Sequence, residues 1–221
     1  MTPETWTAVD QYITDRLHPP DPALDAAQKA STDADLPPIA VSPAQGKFLH
    51  LLARIVRARR ILEIGTLGGY STIWLARALP PGGRLITLEF DPRHAEVARA
   101  NIANAGLSAA VDVRVGPAID ALPTLASGEP FDLTFIDADK PSTPDYFEWA
   151  MKLSHPGSVI VVDNVVRGGR LIDENGDEDI QGMRRFLEKL ATDRRVNATA
   201  LQTVGVKGYD GFAIAVVEGG R

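Results

Sequence analysis

Ile61-Leu62-Glu63-Ile64-Gly65-Thr66-Leu67-Gly68-Gly69-Tyr70-Ser71 is a short apolar run that ends in glycines and passes into a helix-like segment over 70–79. The same alternation recurs downstream. Apolar runs fall at 85–88, 111–115, 133–136 and 159–162, with helix-like segments at 92–105, 117–126 and 143–153 between them. Short buried strands separated by helices imply parallel pairing, because a parallel pair needs a long crossover. The pattern is therefore an α/β doubly wound sheet, in which ligands bind beyond the carboxyl ends of the strands. The tail departs from it. After a helix at 178–193, residues 198–204 and 211–217 read as two strands joined by Gly208-Tyr209-Asp210-Gly211, an antiparallel pair that closes the sheet.

Upstream, Trp6, Val9, Ile13 and Leu17 recur at helical spacing and predict a helix over 3–17. Six of the sixteen prolines lie between residues 19 and 43. Residues 18–41 therefore read as a connector with one short helix at about 23–31. Ser42-Pro43 is a helix start, a Ser cap followed by Pro in the first turn, and Phe48, Leu51, Leu52 and Ile55 carry that helix to about Arg57. This divides the chain into an N-terminal helical appendage and connector (1–41) and one α/β domain (42–221).

Composition narrows the chemistry. The chain has 221 residues, 44 % hydrophobic and 24 % charged, which excludes a fibrous or disordered protein. A net charge of -6 gives no general attraction to nucleic acid or to an anionic membrane, so neither is an expected partner. No run approaches the roughly 18 apolar residues that span a bilayer. The start, MTPETWTAVDQY, lacks the basic and apolar parts of a secretory signal, so a cytoplasmic location is expected. With no cysteine, thiol nucleophiles, iron–sulfur clusters and Cys-ligated zinc are excluded, and a metal would need carboxylates, amides or the four histidines.

The glycine turn fails the dinucleotide fingerprint, because the position two after Gly65 is Leu67; no Gly-Lys-Ser/Thr follows to make a phosphate loop. Such a turn suits a nucleoside-type ligand without phosphates. The second strand ends in Glu89, a carboxylate that can accept hydrogen bonds from both ribose hydroxyls. Glu89 could alternatively be an exposed strand end; the glycine turn about 20 residues upstream favours the ribose reading. S-adenosylmethionine, with a ribose, an adenine and no phosphate, fits both strand ends.

The fourth strand ends Asp137-Ala138-Asp139-Lys140 and the fifth Asp163-Asn164. Clustered carboxylates repel, and a divalent cation relieves this; oxygen donors select Mg²⁺, Ca²⁺ or Mn²⁺. The alternative is helix capping by these Asp and Asn residues. Lys140, one of only six lysines, sits on the same rim and can act as a base; its alternative is a surface pair with Asp139.

ILEIGTLGGYS, the acid in TLEFDP, FIDADK and VVDN together resemble the cation-dependent catechol and caffeoyl-CoA O-methyltransferase family. GTLGGYSTIWLARALP and DNVVRGG point to its bacterial small-molecule branch, and the resemblance runs over about residues 40–217. It implies a Rossmann-like class I methyltransferase fold, a seven-stranded mostly parallel sheet with an antiparallel last strand, with residues 42–221 as the S-adenosylmethionine-dependent domain. It implies Asp137, Asp163 and Asn164 as metal ligands, Mg²⁺ first with Ca²⁺ or Mn²⁺ as alternatives, and Lys140 as general base. It implies Glu89 on the ribose and Glu63, Gly65 and Ser71 along the methionine side, with Ser71 on the carboxylate. Val41 and Ser42 would close over the methionine end, Ala118 would lie beside adenine, and Asp137 would also face the cofactor. The implied acceptor is a small molecule with a catechol-like, phenolic or related natural-product hydroxyl, and the implied assembly is a homodimer. Two positions depart from the family. Gln202-Thr203-Val204-Gly205 has no acid where vertebrate catechol enzymes carry one, and Thr143 stands where plant relatives often have Tyr, the nearest being Tyr146.

Two other readings compete. An NAD-type oxidoreductase is opposed by Leu67 and the acid cluster, and a non-catalytic S-adenosylmethionine-binding protein by the intact Asp137, Lys140, Asp163 and Asn164 set. The acidic stretch 171–180 reads as a solvated loop, Arg167-Gly168-Gly169-Arg170 as a surface loop, and His18, His50, His94 and His155 receive no role.

Overall fold

A computed structural model describes residues 2–219. The first strand, β1 (Arg60–Ile64), lies at the centre of a seven-stranded sheet with β2 (Arg84–Glu89), β3 (Val111–Val115), β4 (Phe131–Ile136), β5 (Ser154–Asp163), β6 (Val196–Gly205) and β7 (Gly208–Val217). The order is β3-β2-β1-β4-β5-β7-β6. Strands β1 to β5 pair in parallel, and β7 runs antiparallel to both β5 and β6. The chain winds outward from β1 through β2 to β3, then returns to place β4 on the other side of β1. That reversal opens a crevice at the carboxyl ends of β1 and β4.

The central strands are covered on both faces, and successive residues serve opposite faces. Leu62 and Ile64 join one core with Phe147 and Phe186 from the helices α7 (Thr143–Lys152) and α8 (Glu178–Thr192). Ile61 joins the other with Ile73 of α4 (Tyr70–Ala76) and Ile102 of α5 (Pro92–Asn104). Glu63 falls on this second face, in full burial, where the period asks for an apolar side chain.

The N-terminal segment is built onto the second core. After α1 (Pro3–Leu17), α2 (Pro22–Asp33) runs longer than the sequence suggests and buries Leu24 and Ala27. Asp21 caps α2 by accepting from Leu24 N at 3.2 Å, and the Arg77 guanidinium pairs with it and holds its carboxyl below the usual range. Helix α3 (Pro43–Ile55) starts at Ser42 as expected, with Ser42 Oγ accepting from Gln45 N at 3.2 Å. No helix among the described residues is long and apolar enough to cross a membrane.

Two local expectations are corrected. The segment 117–126 is one short turn of α-helix, α6 (Ala118–Ala121), followed by a 3₁₀ turn over Leu122–Leu125 that contains Pro123, whose ring cannot sit inside an α-helix. The β6–β7 hairpin turns at Val206-Lys207, since Gly205 pairs with Gly208; Gly208-Tyr209-Asp210-Gly211 belongs to β7 itself.

Candidate active site

A cavity of about 740 Å³ lies in the crevice beyond the strand ends. Val41, Gly65, Ser71, Glu89, Ala118, Asp137, Lys140 and Asn164 all line it, so eight of the residues singled out by sequence meet on one surface. Glu63, Ser42 and Asp163 stand behind that surface. Ser42 borders a smaller adjoining cavity of about 360 Å³ and acts there as the cap of α3.

The glycine turn is shaped by close approach. Gly65 has φ +100, and a Cβ there would lie 2.2 Å from the Asp137 carbonyl oxygen. This lets β1 and β4 end side by side. Leu67 follows in the left-handed region at φ 50. Glu89 holds the turn: Oε2 accepts from Thr66 N at 3.1 Å and Leu67 N at 2.7 Å, and Oε1 accepts from Asp91 N at 3.0 Å. Glu89 is thus a buried strut of the cavity wall rather than an exposed strand end. His94 Nδ1 lies 3.5 Å from Glu89 Oε1, which brings an unassigned histidine to the cavity.

Glu63 meets the cavity through Ser71, which lines it. Its carboxyl accepts hydroxyl donors from Ser71 at 2.7 Å, Thr72 at 2.5 Å and Thr87 at 2.7 Å. Burial pushes the carboxyl up to about 7 against the pull of those three donors.

The acidic end is more compact than the sequence alone indicates. Lys140 is buried, and its Nζ donates to Asp137 Oδ1 at 2.8 Å. Asp139 instead accepts from the Tyr146 hydroxyl at 2.5 Å, and burial together with that acid pushes the Tyr146 phenol up. Asp163 is buried at the end of β5; Oδ2 accepts from Gln45 Nε2 at 2.6 Å and Oδ1 from Asn164 N at 2.8 Å. Burial first, and then the charge of Asp137, push the Asp163 carboxyl up. Asn164 and Arg167 sit in the left-handed region at φ 57 and 55. No group of three or more His, Cys, Asp or Glu able to hold a metal occurs among the described residues; the available donors here are two carboxylates and one amide.

Sequence reasoning missed Gln45, His94, Tyr146 and Asp210 as parts of this region. Gln45 carries no local signal and Asp210 reads as a turn residue; the hydrogen bonds Gln45–Asp163 and Asn164–Asp210 give each its place.

A parallel sheet with its winding reversal at β1/β4, a nucleoside-sized cleft without a phosphate loop, and an acid–lysine cluster at one end define an S-adenosylmethionine-dependent methyltransferase. The chain belongs to the O-methyltransferase family, which it matches over residues 19–214. It is 55 % identical to the catechol O-methyltransferase of Niastella koreensis over 221 residues, 99 % of this chain and 100 % of that protein. The crystal structure of the O-methyltransferase from Bacillus cereus in complex with SAH is 58 % identical and superposes with a TM-score of 0.97, covering 98 % of this chain and 100 % of that one. The structure of TomG from Streptomyces achromogenes, an O-methyltransferase involved in tomaymycin synthesis solved with SAM, gives 0.96 at 55 % identity, covering 99 % and 100 % of the two chains.

Proposed function

We propose that this protein transfers the methyl group of S-adenosylmethionine to one hydroxyl of a vicinal-dihydroxy aromatic or related natural-product acceptor, with Asp137, Asp163 and Asn164 holding a divalent cation and Lys140 acting as base. The observation that carries the reading is the Lys140–Asp137 contact beside buried Asp163, at the edge of a cavity that Glu89 and the glycine turn enclose. The donor set fits a hard cation. It is all oxygen, and of its two acids Asp137 accepts from Lys140 while Asp163 is so buried that its carboxyl is pushed up. Mg²⁺ suits such a set best, with Ca²⁺ or Mn²⁺ as alternatives.

Bound S-adenosylmethionine supplies a methyl on a sulfonium that leaves by in-line displacement. A bound dication supplies positive charge that lowers the pKa of a nearby hydroxyl from the phenolic value of about 10. The chain does the rest. Glu89 accepts from the ribose hydroxyls, and the turn at Gly65 lets the backbone approach. Ala118 borders the adenine, and Ser71, turning its one hydroxyl proton away from Glu63, donates to the methionine carboxylate. Val41, at the end of the connector, closes that side, so residues 1–41 serve as a cover on the methyltransferase domain of 42–221. Lys140 in its neutral amine form takes the acceptor proton at Nζ, and the apolar lining keeps competing water away. The same reading carries a homodimer, supported by the exposed apolar side chains Val9, Tyr12 and Ile13 on α1.

Methyl-labelled S-adenosylmethionine offered with catechols, caffeoyl thioesters and hydroxylated polyketides tests this. The expected result is transfer to a vicinal diol that stops in excess EDTA and returns with Mg²⁺. Transfer that persists in chelator removes the cation from the reading, and transfer to none of these acceptors removes the acceptor class.

A further inference from the structure

Asp210 is the most heavily used acceptor next to the acid cluster. It projects from β7, beside the end of β5. One oxygen, Oδ1, accepts from three backbone amides: Val166 N at 3.1 Å, Arg167 N at 2.9 Å and Gly211 N at 2.9 Å. The other, Oδ2, accepts from the side-chain amide of Asn164 at 3.2 Å. Backbone and side chain of the Asn164–Arg167 loop, with its two left-handed residues, are therefore fixed from a single carboxylate.

The side-chain bond has a chemical consequence. A primary amide has two ends of nearly the same shape, one a donor and one an acceptor. A carboxylate only accepts, so Asn164 must turn its NH₂ toward Asp210, which leaves its carbonyl oxygen for the cavity that Asn164 lines. Only that oxygen can ligate a hard cation. Outer partners that orient a ligand in this way typically contribute 10- to 100-fold in metal affinity.

We propose that Asp210 is a positioning residue that selects which end of Asn164 faces the cation. The inference rests on the reading of Asn164 as a ligand. It predicts a specific failure in Asp210→Asn. The three backbone donors keep the new side chain's oxygen where Oδ1 was, so its NH₂ opposes that of Asn164. Asn164 then turns over and presents hydrogens to the cation.

A double-mutant cycle separates this from a loop fastener or a remote charge. Mn²⁺ binding, followed by electron paramagnetic resonance with S-adenosylhomocysteine present, is measured for wild type, D210N, N164A and N164A/D210N. Thermal melts and cation-free S-adenosylhomocysteine binding accompany each. D210N is expected to weaken Mn²⁺ binding about 10- to 100-fold in the wild-type background and less than about threefold in the N164A background. An equal loss in both backgrounds overturns the inference, because a charge or a fastener acts whether or not residue 164 has an amide. Mn²⁺ failing to bind the wild type overturns the cation reading instead. The contact itself is read without any variant: the Asn164 side-chain NH₂ in ¹⁵N-labelled wild type is expected to exchange slowly with solvent, and exchange as fast as that of surface asparagines overturns the inference.

Discussion

Gln45 Nε2 donates to Asp163 Oδ2 at 2.6 Å, which ties the first turn of α3 to the end of β5. The segment that borders the cavity through Val41 is thereby fastened to the acid cluster through the helix it leads into. Gln45→Glu replaces the donor with a carboxylate facing a buried acid. The expected outcome is a lower melting temperature than wild type in EDTA and a larger upward shift on adding Mg²⁺, since a cation relieves the added repulsion. Thermal melts of both proteins with and without Mg²⁺ check this; equal Mg²⁺ shifts contradict it.

Lys140→Met keeps the length of the side chain and removes its proton acceptor. Turnover is expected to fall by about 10²- to 10⁴-fold, the usual contribution of a positioned base. Calorimetric binding of S-adenosylhomocysteine should change little, because no hydrogen bond or ion pair of Lys140 with the glycine turn or Glu89 occurs among the described residues. A parallel loss of both would assign Lys140 to cofactor binding instead.

Glu63 sets a pH slope on stability. Its folded value, about 7, is raised above the ordinary 4.5. Between those values the folded chain holds a proton that the unfolded chain has released. Its contribution is therefore full below about pH 4.5 and is lost as pH rises through about 7. Glu63→Gln has no such proton. Urea unfolding of both proteins at pH 5 and pH 8 should show wild type losing stability relative to the variant as pH rises, by at most about 1.4 kcal/mol per pH unit. Parallel curves would mean that Glu63 titrates normally.

Gly182→Ala tests how tightly α8 seats on the site. A mid-helix glycine usually gives up about 1 kcal/mol relative to alanine. Here the new Cβ would lie 2.2 Å from the Lys140 carbonyl oxygen and 2.8 Å from Pro141 Cα, both backbone. Overpacking of that kind costs about 1–3 kcal/mol, so the net effect is expected to be destabilising. It should also lower turnover by displacing Lys140. A more stable variant with unchanged rate would show that the loop yields freely.

The inner strands of the parallel core were legible because they are compact apolar runs, and α3 because it starts at a recognisable cap, Ser42. The strand-end acids were legible for the same reason, since topology brings strand ends together. What stayed hidden depends on partners remote in sequence. Asp210-Gly211 has the composition of a turn. In the fold, Asp210 is there to accept hydrogen bonds, and Gly211 because a Cβ would lie 2.2 Å from the Leu201 carbonyl oxygen. Gln45 and Asp163 are 118 residues apart, and no local pattern joins them. Lys140 was placed on the right rim, but its burial and its choice of Asp137 over Asp139 follow from packing rather than spacing.

Leu67 and Arg167 hold left-handed backbones on the wall of the cavity. For such residues the conformation costs roughly 1–2 kcal/mol each, whereas a glycine would adopt it freely and give back only about 0.5–1 kcal/mol through its looser unfolded chain. Glycine in place of Leu67 would relieve the backbone, whereas in place of Arg167 it would also remove the ion pair with Asp179. Both side chains line the cavity, so engineering the protein for heat resistance should leave those two residues alone.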